Sequence, residues 1–371
     1  MSEKVLRVLA VDDPAVSAYV DKQYKVLENY DGKVEFRAVP WSSYYPTMMD
    51  VFAGKAQYDI IMVAGHLWAC DFIQKGYLSE MEYDFEDILP VIAQEMQFEG
   101  KTYLSPSFCD GHIITYRKSV VRNILGRSFG DVITPAEFVE AAHKIAVATG
   151  KPSLALKADA SEIFTDALPY LRMNGMDVYS GTKAVCDRPE IIDGLEKYCA
   201  LKMISLEGTD TFGNDQVAEA IRQNQVPLAV TWSGQMGVVY TDDCVEKKDL
   251  GCATFDTAWN VTWSFAISAV SDQKEEAARF LAYLRSKEVD RIAGGVSGAP
   301  VHRSSYQEGK DKYPWYDCQL KMFDEAKPLP NMPMAGDKNG IFYQEIAEAF
   351  AGRKTAAQAM KDTAAAVNQL G

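Results

Sequence analysis

The chain is poor in positive charge: 38 lysines and arginines stand against 52 aspartates and glutamates, a formal net charge of −14 over 371 residues. With neither a net positive field nor a basic run there is nothing to condense phosphates, which argues against a nucleic-acid or anionic-membrane surface. Long apolar runs are missing too. None approaches the roughly 18 residues a membrane span needs. After the opening MSEKVLRVLAVDD, Leu6–Val11 is of strand length and not a signal-peptide core. The enzyme signatures with a readable motif are absent: there is no P-loop, no GxSxG and no HExxH, and Gly294-Gly295 lacks the spacing of a dinucleotide turn. A pair of glycosidase carboxylates needs no motif, so a carbohydrate-active enzyme stays as an alternative to a binder.

Cysteine is dispersed and forms no CxxC. Cys70, Cys109, Cys186, Cys199, Cys244, Cys252 and Cys318 are odd in number and cannot all pair within one chain. Most are expected as small buried hydrophobes. Cys244 and Cys252 are close enough for a local bridge, which the sequence leaves open. His66 with Cys70, and Cys109 with His112, are spaced temptingly, yet neither pair has a clear third ligand. No metal and no cofactor is therefore expected.

What is present is an ordinary globular composition, 47% hydrophobic, in a chain longer than one average core, so two lobes are expected. Val5–Val11 reads as a buried strand and Pro14–Asn29 has helical spacing. Val34–Val39 alternates as a strand after the Asp31-Gly32 turn, Thr47–Phe52 looks helical, and Tyr58–Gly65 (YDIIMVAG) is a third strand. Strands alternating with helices imply a parallel sheet with crossover helices.

Ligands of open sheets sit beyond the carboxyl ends of strands. The segments there are Asp12-Asp13-Pro14, Trp41 to Tyr45, and Gly65 to Trp68, which nominate Asp12, Asp13, Trp41, Tyr44, His66 and Trp68. Lys101–Ser105 and His112–Tyr116 read as two strands around a loop carrying Asp110. In Thr134–Gly150, Thr134 caps a helix, Pro135 suits its first position, Glu137 can close a capping box and Gly150 stops it. Pro227–Thr231 is a short buried strand with Trp232 and Ser233 at its end. Trp259, Asn260 and Trp263 lead into another strand, and Ser271 is a plausible cap for the helix after it. Asp59 and Trp315 read as structural, and Arg303 as a member of a partly buried salt bridge. Glu345–Leu370 is read as two helices separated by Gly352.

In this order the segments resemble the extracellular solute-binding proteins of bacterial ABC importers, and within them family 1, the maltose-binding-protein-like carbohydrate binders. The resemblance is carried by YDIIMVAGHLWACDFIQKGYLSEM with Lys75-Gly76-Tyr77-Leu78, and by FEGKTYLSPSFCDGHIITYRKSVV with Gly100, Lys101, Pro106 and Tyr116. TPAEFVEAAHKIA, NQVPLAVTWSGQ, TWSFAIS, SDQKEEAARFLAYLRSKE and GGVSGAPVHRSS add to it. Departures are Pro135 where tryptophan is usual, Pro227-Leu228, and Val261-Thr262 where paired glycines are usual.

The resemblance implies an α/β, two-lobed periplasmic-binding-protein-like fold of type II, with a ligand cleft between the lobes and a multi-segment hinge. By it, residues 1–113 plus 267–315 form the N-terminal lobe and residues 114–266 plus 316–371 the C-terminal lobe. It implies no catalysis. The expected function is capture of a sugar or short oligosaccharide and delivery to a membrane permease. The expected location is extracytoplasmic, with a monomer lipid-anchored through a leader that belongs to a longer precursor. A sugar needs an aromatic ring for its C–H face and acceptors for its hydroxyls, which the tryptophans and the three aspartates would supply. The same carboxylates among rings would also suit an organic cation, such as a polyamine or a thiamine-like compound.

Overall fold

The computed structural model describes residues 5–370. The chain forms two compact units, one of residues 1–110 and 261–316, the other of residues 111–260 and 317–371. Gly111–Ile113, expected in the first lobe, lie in the second unit. Val261–Ala266, expected in the second lobe, lie in the first, because Trp263–Ile267 pair antiparallel with Ile60–Ala64.

In the first unit, β1 (Leu6–Val11) lies parallel to β2 (Val34–Val39) from Leu6↔Val34 to Val11↔Val39, and parallel to β3 (Ile60–Ala64) through Val8↔Ile60 and Leu9↔Ile61. Every residue of β3 is buried, which its unbroken apolar run demands of a strand covered on both faces. Chain order 1-2-3 becomes spatial order 2-1-3. The sheet therefore changes direction between β1 and β3, and their carboxyl ends flank the crevice where open sheets bind ligands. Helix α1 (Pro14–Val20) follows β1, with Asp13 as its cap accepting from the Ala15 N–H at 2.8 Å. Helix α2 (Trp41–Phe52) starts directly after Pro40. Trp41 to Tyr45, expected as a loop, are thus its first residues, and Pro46, inside the helix, forgoes one intrahelical hydrogen bond.

Three further expectations are corrected. Ser105–Arg117 is one buried strand rather than two strands around a loop. The helix after Ser271 is Lys274–Leu284, with Gln273 at its cap position. The Ser271 hydroxyl instead donates to Asp59 at 2.6 Å. Asp59, also accepting from the Arg7 N–H and from Gln273, fastens that turn to β1. Arg303 is exposed and makes no ion pair among the described residues.

In the second unit, Leu228–Trp232 runs antiparallel to the long strand, from Leu228↔Tyr116 to Trp232↔His112, and parallel to Leu154–Ala155. Leu250–Phe255 pairs with the other side of the long strand and with Val132–Ile133. Cys244 and Cys252 are separate thiols, and the Cys252 sulfur lies 3.3 Å from the Tyr240 hydroxyl. The helix Pro135–Thr149 has the expected Thr134 cap and left-handed Gly150 stop, while the Glu137 carboxylate pairs with Arg127 at 2.6 Å. Trp315, in the first unit, is buried and donates to the Gly298 carbonyl at 2.9 Å. No helix among the described residues is long and apolar enough to cross a membrane.

Candidate functional site

The carboxyl ends of β1, β2 and β3 gather a wall of rings in the first unit. Trp41 follows β2, Trp68 lies in the single π-helical turn Gly65–Ala69 after β3, and Trp263 stands opposite Ala64 on the antiparallel neighbour. Trp41 stacks on Trp68 with ring centroids 5.6 Å apart and meets Trp263 edge-on at 5.7 Å. Tyr45 leans on Trp68 at 5.5 Å, and Phe108 stacks on Trp263 at 6.2 Å. Trp68 is thereby largely covered, whereas Trp41 and Tyr45 keep 39% and 43% of their surface open to solvent. Two exposed rings backed by the covered Trp68 and the half-buried Trp263 make a stiff apolar platform.

Tyr44 leaves the candidate set. It is fully buried, and its hydroxyl donates to the Met62 carbonyl at 2.7 Å, with that of Leu9 at 3.2 Å, and accepts from the Met62 N–H at 3.0 Å. One helical residue on, Tyr45 has the exposure expected of Tyr44, because consecutive positions on a helix point about 100° apart. Only the helical phase of Trp41–Tyr45 separates the two, and the sequence reads helix from Thr47 alone.

Asp12 is exposed at the end of β1, Asp13 is half-buried at the start of α1, and Asp110 is buried in the long strand. Burial raises the Asp13 pKa well above the carboxylate range, and the charges of Asp110 and Asp12 push the same way, against the Ala15 N–H. The three acids therefore share one field at the switch point. Tyr19 bonds Ser107 at 2.7 Å and ties α1 to the strand that carries Asp110. His66 is held down to about 3 by burial, so it is a neutral imidazole at physiological pH.

The second unit gathers its own group. Leu154–Ala155 and Leu228–Trp232 are parallel neighbours in register Leu228↔Leu154, so the residues just past their ends meet. Lys157 is fully buried, with its ammonium 3.1 Å from the centre of the Trp232 ring. The Trp232 indole bonds the Glu162 carboxylate, whose pKa burial raises while Lys157 opposes. Trp232 meets Trp259 edge-on at 5.2 Å and His112 at 4.7 Å.

His112 Nε2 donates to the Thr165 carbonyl at 2.8 Å, and Nδ1 accepts from the Trp259 N–H at 3.3 Å. That pairing needs the neutral ring, which burial and the nearby Lys157 charge enforce. Ser233 is fully buried and its hydroxyl accepts from the Gly111 N–H at 3.0 Å, so it is a framework contact rather than a ligand group. Trp259 and Asn260 are likewise buried. Among the described residues no three His, Cys, Asp or Glu side chains form a group able to hold a metal.

The sequence places Tyr45 in the strand-end segment Trp41 to Tyr45 but nominates Tyr44 in its stead, and it gives no nomination to Phe108, Lys157 or Glu162. Lys157 had a signal: it directly follows the short apolar run Leu154–Leu156, at the carboxyl end of a strand.

Two α/β units, each with rings and ionisable groups collected where its strands end, define the two-lobed solute-binding class of fold. Residues 10–291 match the model of the bacterial extracellular solute-binding proteins, and the chain belongs to that family. The family sets its place of action outside the cytoplasm. Among solved structures the chain is similar to maltose-bound MalE3 of T. maritima, at 20% identity over 99% of this chain and 100% of that one, with a TM-score of 0.87. It is also similar to an ABC transporter solute-binding protein of Agrobacterium vitis S4 with bound D-mannitol (19% identity, 98% and 97% covered, TM-score 0.83). A third, from Thermotoga lettingae TMO bound with alpha-D-tagatose, is 19% identical, with 99% of each chain covered and a TM-score of 0.84.

Proposed function

We propose that this protein captures a sugar, a sugar alcohol or a short oligosaccharide by closing its two units on it, and hands it to the membrane permease of an ABC importer. The observation that carries the reading is the first-unit wall: exposed Trp41 and Tyr45, braced by Trp68 and Trp263, beside Asp12, Asp13 and Asp110 at the switch point of the sheet. Rings accept the C–H face of a sugar, and the acidic side chains hydrogen-bond its hydroxyls, through charge-assisted bonds where they are ionised. Structural neighbours carrying maltose, mannitol and tagatose support the class.

In the second unit, Trp232 with Lys157 and Glu162 is the candidate group for further hydroxyl contacts. The protein returns its ligand unchanged and acts as a monomer. A lipid on the precursor holds it at the outer face of the membrane, which detergent partition of the native protein would reveal.

Ligand that touches both units favours the closed form and shifts the population towards it by its differential affinity alone. The same linkage raises stability, by about 2.7 kcal/mol at a ligand concentration one hundred times its dissociation constant. A thermal-shift screen over maltose, longer maltodextrins, mannitol, ribitol and tagatose is expected to give a concentration-dependent rise with at least one. A flat response to every neutral carbohydrate, with a rise for an amine, would move the assignment to an organic cation.

A further inference from the structure

Away from the ring wall, the first unit holds a second concave site of about 590 Å³, within the range of small-molecule pockets. It is built from the helices Lys287–Ser297 and Arg303–Gly309, the turn that follows them, and Tyr24. Its lining combines tyrosine rings and aliphatic side chains with two cations, Arg291 and Lys312.

The tyrosine lining is specified by glycine. A Cβ on Gly295 would stand 2.3 Å from the Tyr313 hydroxyl, and one on Gly309 would stand 2.6 Å from the Tyr316 ring. Only the missing side chains let both rings lie against the helices. Glycine is a poor choice inside a helix, so its presence at 295 is explained by the ring it admits. Tyr313 and Tyr316 pack with centroids 4.8 Å apart.

The charges are unevenly matched. Glu308 is the one carboxylate in the lining, and it is taken by Arg291 at 2.6 Å. Lys312 is exposed, lies 4.9 Å from the Tyr313 ring centre, and makes no ion pair among the described residues. Beneath the pocket Asp290 is occupied by the N–H groups of Val301 and His302 and by the Ser305 hydroxyl. On a chain of net charge −14, this pocket carries an excess positive charge beside apolar rings.

We propose that this pocket is a second ligand site, for a small aromatic carboxylate whose ring lies among the tyrosines and whose carboxylate meets Lys312 and Arg291. It stands independently of the carbohydrate reading.

The test uses the intact protein and 4-hydroxyphenylacetate as probe, followed by ligand-observed NMR and calorimetry, with tyrosol as the uncharged counterpart and glucuronate as a non-aromatic anion. The expected result is saturable binding of 4-hydroxyphenylacetate, about tenfold or more tighter than that of tyrosol or glucuronate. Lys312→Gln, at an exposed position, is expected to weaken it about tenfold and Arg291→Gln to weaken it further, both with unchanged circular dichroism and unchanged sugar binding. Trp41→Ala is expected to do the reverse, reducing sugar affinity and leaving the acid unaffected. Absence of saturable binding, equal affinity for tyrosol or glucuronate, or indifference to both charge substitutions would overturn the proposal.

Discussion

Trp41 and Tyr44 lie on the same helix and have opposite fates. Trp41 is the open face of a ring stack, while Tyr44 is a buried strut whose hydroxyl bridges the backbones of β1 and β3. Trp41→Ala is expected to leave the unliganded melting point almost unchanged and to weaken sugar binding by about 1–2 kcal/mol, the loss of a stacking contact and part of its area. Tyr44→Phe is expected to do the opposite: it strands the Met62 N–H and carbonyl and lowers stability by about 1–3 kcal/mol with little change in affinity. Urea unfolding and titration calorimetry on both variants check the contrast. A shared response, in either direction, would show that the two side chains are not divided as described. Residue identity alone did not separate them. Two aromatics at the carboxyl end of a strand look equivalent until the helix that holds them fixes which one turns inward.

Among the elements, a close joint in the second unit is where helix Ile163–Leu171 meets helix Pro189–Ala200. A Cβ on Gly194 would lie 2.1 Å from the Tyr170 carbonyl oxygen and 2.9 Å from its carbon. Backbone cannot retreat as a flexible side chain can. Gly194→Ala is therefore expected to destabilise by about 1–3 kcal/mol or more, although alanine is the better helix former, and chemical denaturation would measure it. If stability were unchanged or higher, the helices would have room to part.

Elements with local rules were readable from the chain. The strands Leu6–Val11, Val34–Val39 and Ile60–Ala64 show as apolar or alternating runs, and the helix Pro135–Thr149 announces itself by Thr134, Pro135 and Gly150. Elements set by their surroundings were not. The long strand Ser105–Arg117 contains Pro106, two serines, Asp110 and Gly111, which locally spell a turn. It is a strand because partners on either side supply its hydrogen bonds. Likewise Ser271 has the right chemistry for a helix cap, but Asp59, distant in sequence, takes its hydroxyl. In the site, Asp12, Asp13, Trp41, Trp68 and Trp263 were legible from strand-end position. Lys157 left only the faint signal of the apolar run before it, since the strand there is two residues long and is defined by its neighbour.

For the molecule as a whole, the net charge of −14 bears on which ligand class is right. A neutral sugar carries no charge for salt to screen, so its affinity is expected to change less than about twofold between 50 and 500 mM sodium chloride, where the screening length shrinks from roughly 14 to 4 Å. An organic cation drawn to Asp12, Asp13 and Asp110 would bind far more weakly at the higher salt. Calorimetry at the two ionic strengths decides between them, and a steep loss of affinity for the best ligand would count against carbohydrate.

The first unit is closed by a strand that arrives late. Trp263 sits beside Ala64, and Ile267 beside Ile60, so on a growing polypeptide the opening sheet waits some two hundred residues for its fourth member. Until then β3 presents a bare hydrogen-bonding edge and the unit has no finished core. Contacts that distant form slowly, because the intervening loop must first be gathered in. The order of the strands therefore makes the folding of the first unit wait on the late segment Trp263–Ile267.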